Sequence, residues 1–253
     1  MIAPSGFRLL TVSAAFLASG VAASAAEITV MASNAVKEAY SELVPLFEKQ
    51  SGHKVTIVWG GTIDLKKRIG QGEVADIVIT PASDIEDLIR QDLLAAGSRV
   101  DLVRSSIGVA IRRGTARPDL SSGEGLKTSL LASKSIIISG GPSSYYLLGV
   151  FDRMGIAAAL KPKMTQLASG APVGEGLAQG RGDIGFTQVS EFLPFKNTID
   201  YVGPLPSDIQ LVTVFSSGLH RSAPSPAAAK ALVKFLTGPQ AVPVLKENGL
   251  EPG

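Results

Sequence analysis

Five short segments of small and polar residues follow predicted strands in this chain, and their chemistry suits the binding of a small anion. Four of them precede a predicted helix, whose first turn carries unpaired N–H groups and about half a positive charge. Such a turn can bind an anion without lysine or arginine. The segments are Ala32-Ser33-Asn34, Gly60-Gly61-Thr62, Gly140-Gly141-Pro142-Ser143-Ser144, Ser169-Gly170-Ala171 and Thr187-Gln188.

Helix capping is the alternative explanation for these segments, because Ser, Thr, Asn and Gly are the residues preferred at helix N-caps. Capping accounts for any one segment taken alone. The anion-binding hypothesis requires several segments to meet at one cleft, where the hydroxyl groups of Ser33, Thr62 and Ser144 would add donors. Tyr145 and Tyr146 begin the helix beside the loop that contains Pro142. We predict that Tyr145 faces the cleft and that Tyr146 packs against the lobe.

Patterns for other chemistry are missing from the sequence. The chain has no cysteine, which excludes disulfides, thiolate catalysis and cysteine-ligated metals. Its two histidines, His53 and His220, lack metal-ligand spacing to any partner, and we expect them at the surface or between lobes. No Gly-x-Ser-x-Gly nucleophile motif occurs. We therefore predict neither a metal nor a cofactor.

Short apolar strands alternate with amphipathic helices in the first part of the chain. Strands are predicted at residues 28–31, 54–59 and 76–80, with a helix over 35–50 and another that ends at Gly70. This βαβαβ order indicates a parallel sheet. Right-handed crossovers place its strand-to-helix loops at one edge, where ligands of open α/β folds bind.

A second unit of the same kind begins after Gly123, which predicts two lobes. It contains a helix over 126–132, a strand over 135–139 and a helix over 144–154. Strands at 107–111 and 209–215 are interpreted as crossings between the lobes, and helices over 227–236 and 239–246 follow. We predict an α/β fold of two Rossmann-like lobes on a hinge, with residues 27–106 and 212–253 in one lobe and 107–211 in the other.

The first 26 residues have the features of a cleaved signal peptide. Arg8 precedes the apolar residues 9–23, and the small residues Ala23-Ser24-Ala25-Ala26 follow. The apolar run is shorter than the roughly 20 residues of a transmembrane helix. We expect export to the periplasm. With 24 basic and 22 acidic residues the chain shows no nucleic-acid surface.

Several motifs in this order resemble the periplasmic molybdate-binding protein family of ABC-importer solute-binding proteins. The resemblance covers nearly all of the chain after the signal peptide, and it implies a type II periplasmic binding fold, a monomer, a small anionic ligand and an inner-membrane ABC permease as partner. The motifs are Ala32-Ser33, Phe47-Glu48-Lys49-Gln50-Ser51-Gly52, Gly72-Glu73-Val74-Ala75-Asp76-Ile77, Gly180-Arg181-Gly182-Asp183-Ile184-Gly185, Lys234-Phe235-Leu236 and Pro239-Gln240-Ala241.

The same resemblance implies a set of ligand-binding positions. A tyrosine of the family, expected after Gly185-Phe186-Thr187, is replaced by Gln188, so that the ligand is either molybdate, another oxyanion or a small carboxylate. Together with Tyr145, the predicted ligand-binding residues are Ser33, Asn34, Gly61, Thr62, Ser143, Ser144, Gly170 and Gln188.

An enzyme on the same scaffold is the second hypothesis, because aconitate isomerase is similar to these binding proteins. Glu191 is the carboxylate best placed to act as a general base. Its ordinary interpretation is an exposed charge at the start of a loop. The five segments contain no arginine that would hold a tricarboxylate.

Overall fold

The computed structural model of the protein describes residues 25–253. The predicted signal peptide, residues 1–26, lies outside these described residues except for its last two positions. Within residues 25–253, none of the helices combines the length and the apolar character that crossing a membrane requires.

The first lobe is built on the predicted βαβαβ unit. Its strands β1 Glu27–Ser33, β2 Lys54–Gly60 and β3 Ile77–Pro81 are parallel, with β1 in the middle. The register pairs Ser33 with Gly60, so that two of the predicted segments leave the sheet side by side. Helices α1 Lys37–Ser51, α2 Thr62–Gly70 and α3 Ala82–Arg90 connect and follow these strands.

The start and the end of α1 show how the sequence sets its bounds. The helix predicted from residue 35 is preceded by a 3-10 turn, Asn34–Val36, because the hydroxyl oxygen of Ser33 accepts a hydrogen bond from the Ala35 N–H. Gly52 ends the helix with a φ of 75°, a left-handed conformation that glycine adopts at low cost.

Two long antiparallel strands join the lobes. β4 Val100–Arg112 pairs with β9 Val212–Leu219 up to Ser106, and from Ile107 onward it pairs with β7 Ile184–Gln188. The predicted crossing strands are thus present with different bounds. β4 begins at Val100, earlier than predicted, because its first half pairs with β9. The exposed charged residues Asp101 and Arg104 in this half conceal the strand pattern in the sequence.

The second lobe repeats the parallel arrangement. β5 Ile136–Ile138 lies between β6 Met164–Gln166 and β7, and β8 Ile199–Pro204 pairs antiparallel with β4. The strand order of the continuous sheet is β2-β1-β3-β9-β4-β7-β5-β6. The helices of this lobe are α4 Gly123–Ala132, α5 Pro142–Arg153, α6 Ala157–Leu160, α7 Val173–Ala178 and α8 Val189–Phe192.

The chain then returns to the first lobe. α9 Pro226–Leu236 matches the predicted helix closely, whereas the helix predicted over 239–246 is a 3-10 turn, Pro239–Ala241, followed by α10 Val242–Glu247. The short strand β10 Glu251–Pro252 pairs with β4.

Helices cover both faces of each half of the sheet, and four buried clusters result. Tyr40, Phe47 and Phe235 fill the core on one face of the first lobe, and Leu65 and Ile85 belong to the cluster on its other face. The second lobe has the same two-sided arrangement. β3 is buried along its whole length, as expected for a parallel strand covered on both sides.

His220 differs from the predicted placement at the surface or between the lobes. It is buried beside Leu94, and its backbone N–H donates to the carbonyl oxygen of Asp76 at 3.0 Å. Burial lowers the pKa of His220, which keeps the imidazole neutral.

Candidate functional site

A small pocket lies between the two lobes, and all five predicted segments contribute to its wall. The first lobe contributes residues 33–35 and 60–62 together with Pro81, and the second contributes 139–143, 169–171, Gln188 and Glu191. Thr213 and Phe215 of β9 complete the lining. The segments therefore meet at one cleft, which is the condition set by the anion-binding hypothesis.

The first-lobe wall is formed by the ends of β1 and β2. Ser33 is buried, and its hydroxyl oxygen accepts from Ala35 N at 3.3 Å, which leaves the hydroxyl proton available for a ligand. Thr62 is the buried first residue of α2, and its N-cap residue Gly61 supplies no side-chain cap. The N–H groups of this helix start therefore have no capping acceptor from Gly61.

The second-lobe wall contains the start of α5. Gly141 is the N-cap, and it too lacks a side-chain cap. Ser139, Ser143 and Ser144 form a hydroxyl cluster in which Ser139 Oγ lies 3.0 Å from each of the other two hydroxyl oxygens. Ser143 and Ser139 line the pocket.

Ser144 and Tyr145 are not among the residues that line the pocket. Ser144 is fully buried and donates its hydroxyl to the carbonyl oxygen of Ser139, so its side chain stabilises the loop. Tyr145 is 60% exposed and lies outside the lining. Tyr146 packs as predicted, with its hydroxyl donating to the carbonyl oxygen of Ile209 at 3.1 Å.

Direct contacts join the two lobes across the pocket. Asn34 Nδ2 donates to the carbonyl oxygen of Gly170 at 3.1 Å, and Ser190 Oγ donates to the carbonyl oxygen of Ala35 at 2.7 Å. Gly61 lies so close to Gly170 that a Cβ on Gly170 would lie 2.7 Å from the Gly61 nitrogen. Both positions therefore require glycine in this arrangement of the lobes.

The side chain of Gln188 connects the pocket wall with the hinge strands. Its amide lies 3.3 Å from Thr213 Oγ1 on β9. With the amide oxygen toward Thr213, the amide nitrogen donates to Ser105 Oγ at 2.8 Å and to the Ser106 carbonyl at 3.2 Å, both on β4. Gln188 thus bridges β7 with both strands that cross between the lobes.

Glu191 lines the pocket within the short helix α8, and it is half-buried, unlike the exposed loop residue that the sequence suggests. The hydroxyl of Thr187 donates to its Oε2. Burial raises the pKa of Glu191 above its ordinary value, although the hydrogen bonds from Thr187 and from the Gln188 backbone act in the opposite direction.

The pocket offers a ligand backbone dipoles and hydroxyl groups but no cationic side chain, since its lining within residues 25–253 includes no Lys, Arg or His. Ser169 Oγ is a buried hydroxyl in this lining that has no hydrogen-bond partner in the described part of the chain. A buried polar atom without a partner is costly, and such atoms mark places where a ligand or water binds.

Comparison with known proteins agrees with this geometry. The family model for bacterial extracellular solute-binding proteins matches residues 28–251. The chain belongs to this family. The resemblance predicted from the motifs is therefore confirmed, and the protein is a solute-binding protein of the ABC-transporter type.

Two curated relatives of this solute-binding protein carry different names. Aconitate isomerase of a Pseudomonas species is 30% identical over 231 residues, which cover 89% of this chain and 87% of that protein. The molybdate-binding protein ModA of Azotobacter vinelandii is 27% identical over 239 residues, which cover 90% of this chain and 91% of that protein.

Solved structures confirm the predicted two-lobed fold. The periplasmic molybdate-binding protein of Azotobacter vinelandii has a TM-score of 0.72 at 21% identity, covering 89% of this chain and 99% of that one. The sulfate-binding protein SubI of Mycobacterium tuberculosis H37Rv has a TM-score of 0.71 at 18% identity, covering 90% of this chain and 87% of that one.

Sequence reasoning missed several lining residues of this solute-binding protein. Ser139 immediately precedes the predicted segment that starts at Gly140, and Ser169 belongs to a predicted segment but was not among the predicted ligand-binding residues. Thr213 and Phe215 lie in a predicted crossing strand, and no local pattern distinguishes them from residues that only pair.

Proposed function

We propose that this solute-binding protein captures a small anion in the pocket between its lobes and presents it to an inner-membrane ABC permease, after export to the periplasm by a cleaved signal peptide. The observation that carries the proposal is the convergence of five amide-bearing and hydroxyl-bearing segments on one pocket whose described lining contains no basic side chain. Helix-start N–H groups then supply the positive potential that an anion requires.

The proposed ligand contacts come from both lobes. The wall from the first lobe contains Ser33, Asn34, Gly61 and Thr62. The wall from the second lobe contains Ser143, Gly170 and Gln188, and Ser169 is an additional candidate there. Ser144 supports its wall through Ser139, and Tyr145 is exposed. The proposed ligand is a molybdate-like oxyanion or a small carboxylate.

We further propose that residues 27–106 with 212–253 move as one lobe and residues 107–211 as the other. Support comes from the pairing of β4, which changes partner from β9 to β7 between Ser106 and Ile107. Bending at this point would open the pocket and close it around a ligand.

Thermal-shift screening tests the proposal. Molybdate, tungstate, sulfate, phosphate, dicarboxylates and tricarboxylates are added singly, and calorimetry follows for each anion that raises the melting temperature. At least one anion is expected to raise it, since a ligand of the folded state stabilises by mass action, by about 2.7 kcal/mol at a concentration of 100 Kd. If no anion of the panel binds, the proposal is wrong.

A second candidate function is the isomerisation of a small tricarboxylate. Glu191 favours it, because a half-buried carboxyl group with a raised pKa that lines the pocket is placed to exchange a proton with a bound substrate. The relative named aconitate isomerase is consistent with this candidate.

The isomerase candidate has a direct test. Purified protein is incubated with cis-aconitate and, separately, with trans-aconitate, and NMR follows their ratio. Interconversion by the wild type that Glu191→Gln abolishes would establish the candidate, and no interconversion by the wild type would dismiss it.

A further inference from the structure

We propose that Glu191 and the bound anion share one proton, so that the pocket prefers an anion that still carries a proton on one of its oxygens. This inference rests on the proposed binding of an anion in this pocket, and it names the ligand class more closely. The preferred ligands are an oxyanion that retains a proton at neutral pH or a carboxylate that bears a hydroxyl group.

The first support is the position of the Glu191 carboxyl group. Glu191 lines the pocket together with Gln188, the residue that caps its helix α8. Thr187 donates to Oε2, and the Gln188 backbone also hydrogen-bonds to the carboxyl group. A carboxylate has about four lone-pair sites, so acceptor sites remain for a ligand in the pocket.

The second support is the lack of a compensating charge. The elements packed against α8 are β4, β7, β8, α7, and the 3-10 turns Asn34–Val36 and Leu193–Phe195. The charged or titratable residues of these elements are Asp101, Arg104 and Arg112 on β4, Asp200 and Tyr201 on β8, and Glu175 on α7. None of them lines the pocket, and Glu191 is the only acidic or basic residue of the described lining.

Electrostatics then requires a proton between the two groups. An ionised Glu191 beside an anion would place two negative charges together in a partly desolvated pocket, where their repulsion is stronger than in water. One proton removes this repulsion. Either the protonated Glu191 donates to a ligand oxygen, or the ionised Glu191 accepts a hydrogen bond from a hydroxyl group of the ligand.

The two cases lead to different behaviour as the pH rises. A fully ionised anion such as sulfate needs Glu191 in its protonated form, so its affinity falls once the pH exceeds the pKa of Glu191. Burial raises that pKa, which moves the fall toward neutral pH. An anion that brings its own proton remains paired with the ionised Glu191, and its affinity persists.

Calorimetry with two matched pairs of anions tests the inference. Inorganic phosphate is compared with sulfate, because phosphate keeps an oxygen-bound proton that sulfate lacks, and malate is compared with succinate, because malate bears a hydroxyl group that succinate lacks. At about pH 8, wild-type protein is expected to bind the proton-bearing member of at least one pair about tenfold more tightly, a difference that corresponds to about 1.4 kcal/mol. The preference should shrink at about pH 5, where Glu191 is protonated more fully.

Glu191→Gln is the matched variant, because an amide can donate or accept in place of the shared proton. It should bind both members of each pair within about twofold of each other, with little change between the two pH values. Equal binding by the wild type at about pH 8, or a preference that Glu191→Gln retains, overturns the inference and leaves anion binding intact. If neither pair binds at either pH while another anion of the screening panel does, the inference is also wrong.

Discussion

At the scale of single residues, some of the groups that line the pocket also stabilise the fold. Ser33 both caps the turn before α1 and presents its hydroxyl group to the pocket. Ser144 satisfies only the loop, since its hydroxyl donates to the carbonyl oxygen of Ser139. Whether a serine hydroxyl faces the pocket or only stabilises the backbone therefore differs from one residue to the next.

Replacing Ser33 by Ala should weaken anion binding about tenfold or more, because a charge-assisted hydrogen bond contributes about 1.5–3 kcal/mol. Calorimetry with the anion that raises the melting temperature measures this loss. The free energy of unfolding of the ligand-free protein should also fall by about 1 kcal/mol, because the hydrogen bond from the Ala35 N–H to the Ser33 hydroxyl is lost. Ser121→Ala, at an exposed position outside the pocket lining, is the control. Unchanged affinity in Ser33→Ala would remove Ser33 from the proposed site.

Replacing Ser169 by Ala should separate affinity from stability. Its hydroxyl is buried without a partner in the described residues, so the free protein should keep its stability or gain up to about 1 kcal/mol. Affinity for the anion should fall about tenfold if the ligand is that partner. Denaturant unfolding and calorimetry give the two quantities. Lower stability with unchanged affinity would show that the hydroxyl serves the fold.

At the scale of elements, closure of the pocket depends on glycines that let two loops approach. Gly61 precedes α2, and Gly170 has a left-handed φ of 77° in the facing loop. A Cβ on Gly61 would lie 2.6 Å from the backbone carbon of Ser169. A backbone atom cannot move aside as a flexible side chain can, so the two lobes would have to separate.

Gly61→Ala should therefore favour an open arrangement and weaken anion binding about tenfold or more, with little effect on the stability of the free protein. Small-angle scattering in the presence of the anion should show a larger radius of gyration than for wild type. Gly70→Ala, at the other end of α2, is the control, because a Cβ there meets nothing within 4 Å. Wild-type affinity in Gly61→Ala would argue against closure through this contact.

At the scale of the whole molecule, one continuous sheet runs through both lobes, and the pocket that all five segments line lies between them. The lobes meet through Asn34 with Gly170 and through Ser190 with Ala35, and the hinge strands β4 and β9 run beneath them. A ligand at the proposed site would contact both lobes at once, so its binding would stabilise one relative position of the lobes.

Hydrogen exchange should show this coupling. With a saturating anion, amides near residues 33–35 and 61–63 should exchange more slowly together with those near 139–143 and 169–171, since the ligand stabilises the closed arrangement of both lobes. Mass spectrometry of peptic fragments resolves these regions, and residues 123–132 of α4, none of which lines the pocket, provide the internal reference. Protection confined to one lobe would contradict the proposed trap.

The sequence by itself determined the elements and the class of chemistry. Hydrophobic periodicity and glycine positions indicated β1, β2 and β3 and the helices α1, α5 and α9 within a few residues, because these signals are local. The same local signals marked all five segments that line the pocket, since small polar residues at strand ends are visible without tertiary contacts.

Only the tertiary structure decided which of these residues face one another. The burial of Glu191, the anchoring of Gln188 to Ser105 and Thr213, and the placement of Tyr145 outside the lining depend on elements distant in sequence. The first half of β4 became a strand through pairing with β9, more than a hundred residues later in the chain. Long-range pairing and desolvation are properties of the assembled chain, and no local pattern encodes them.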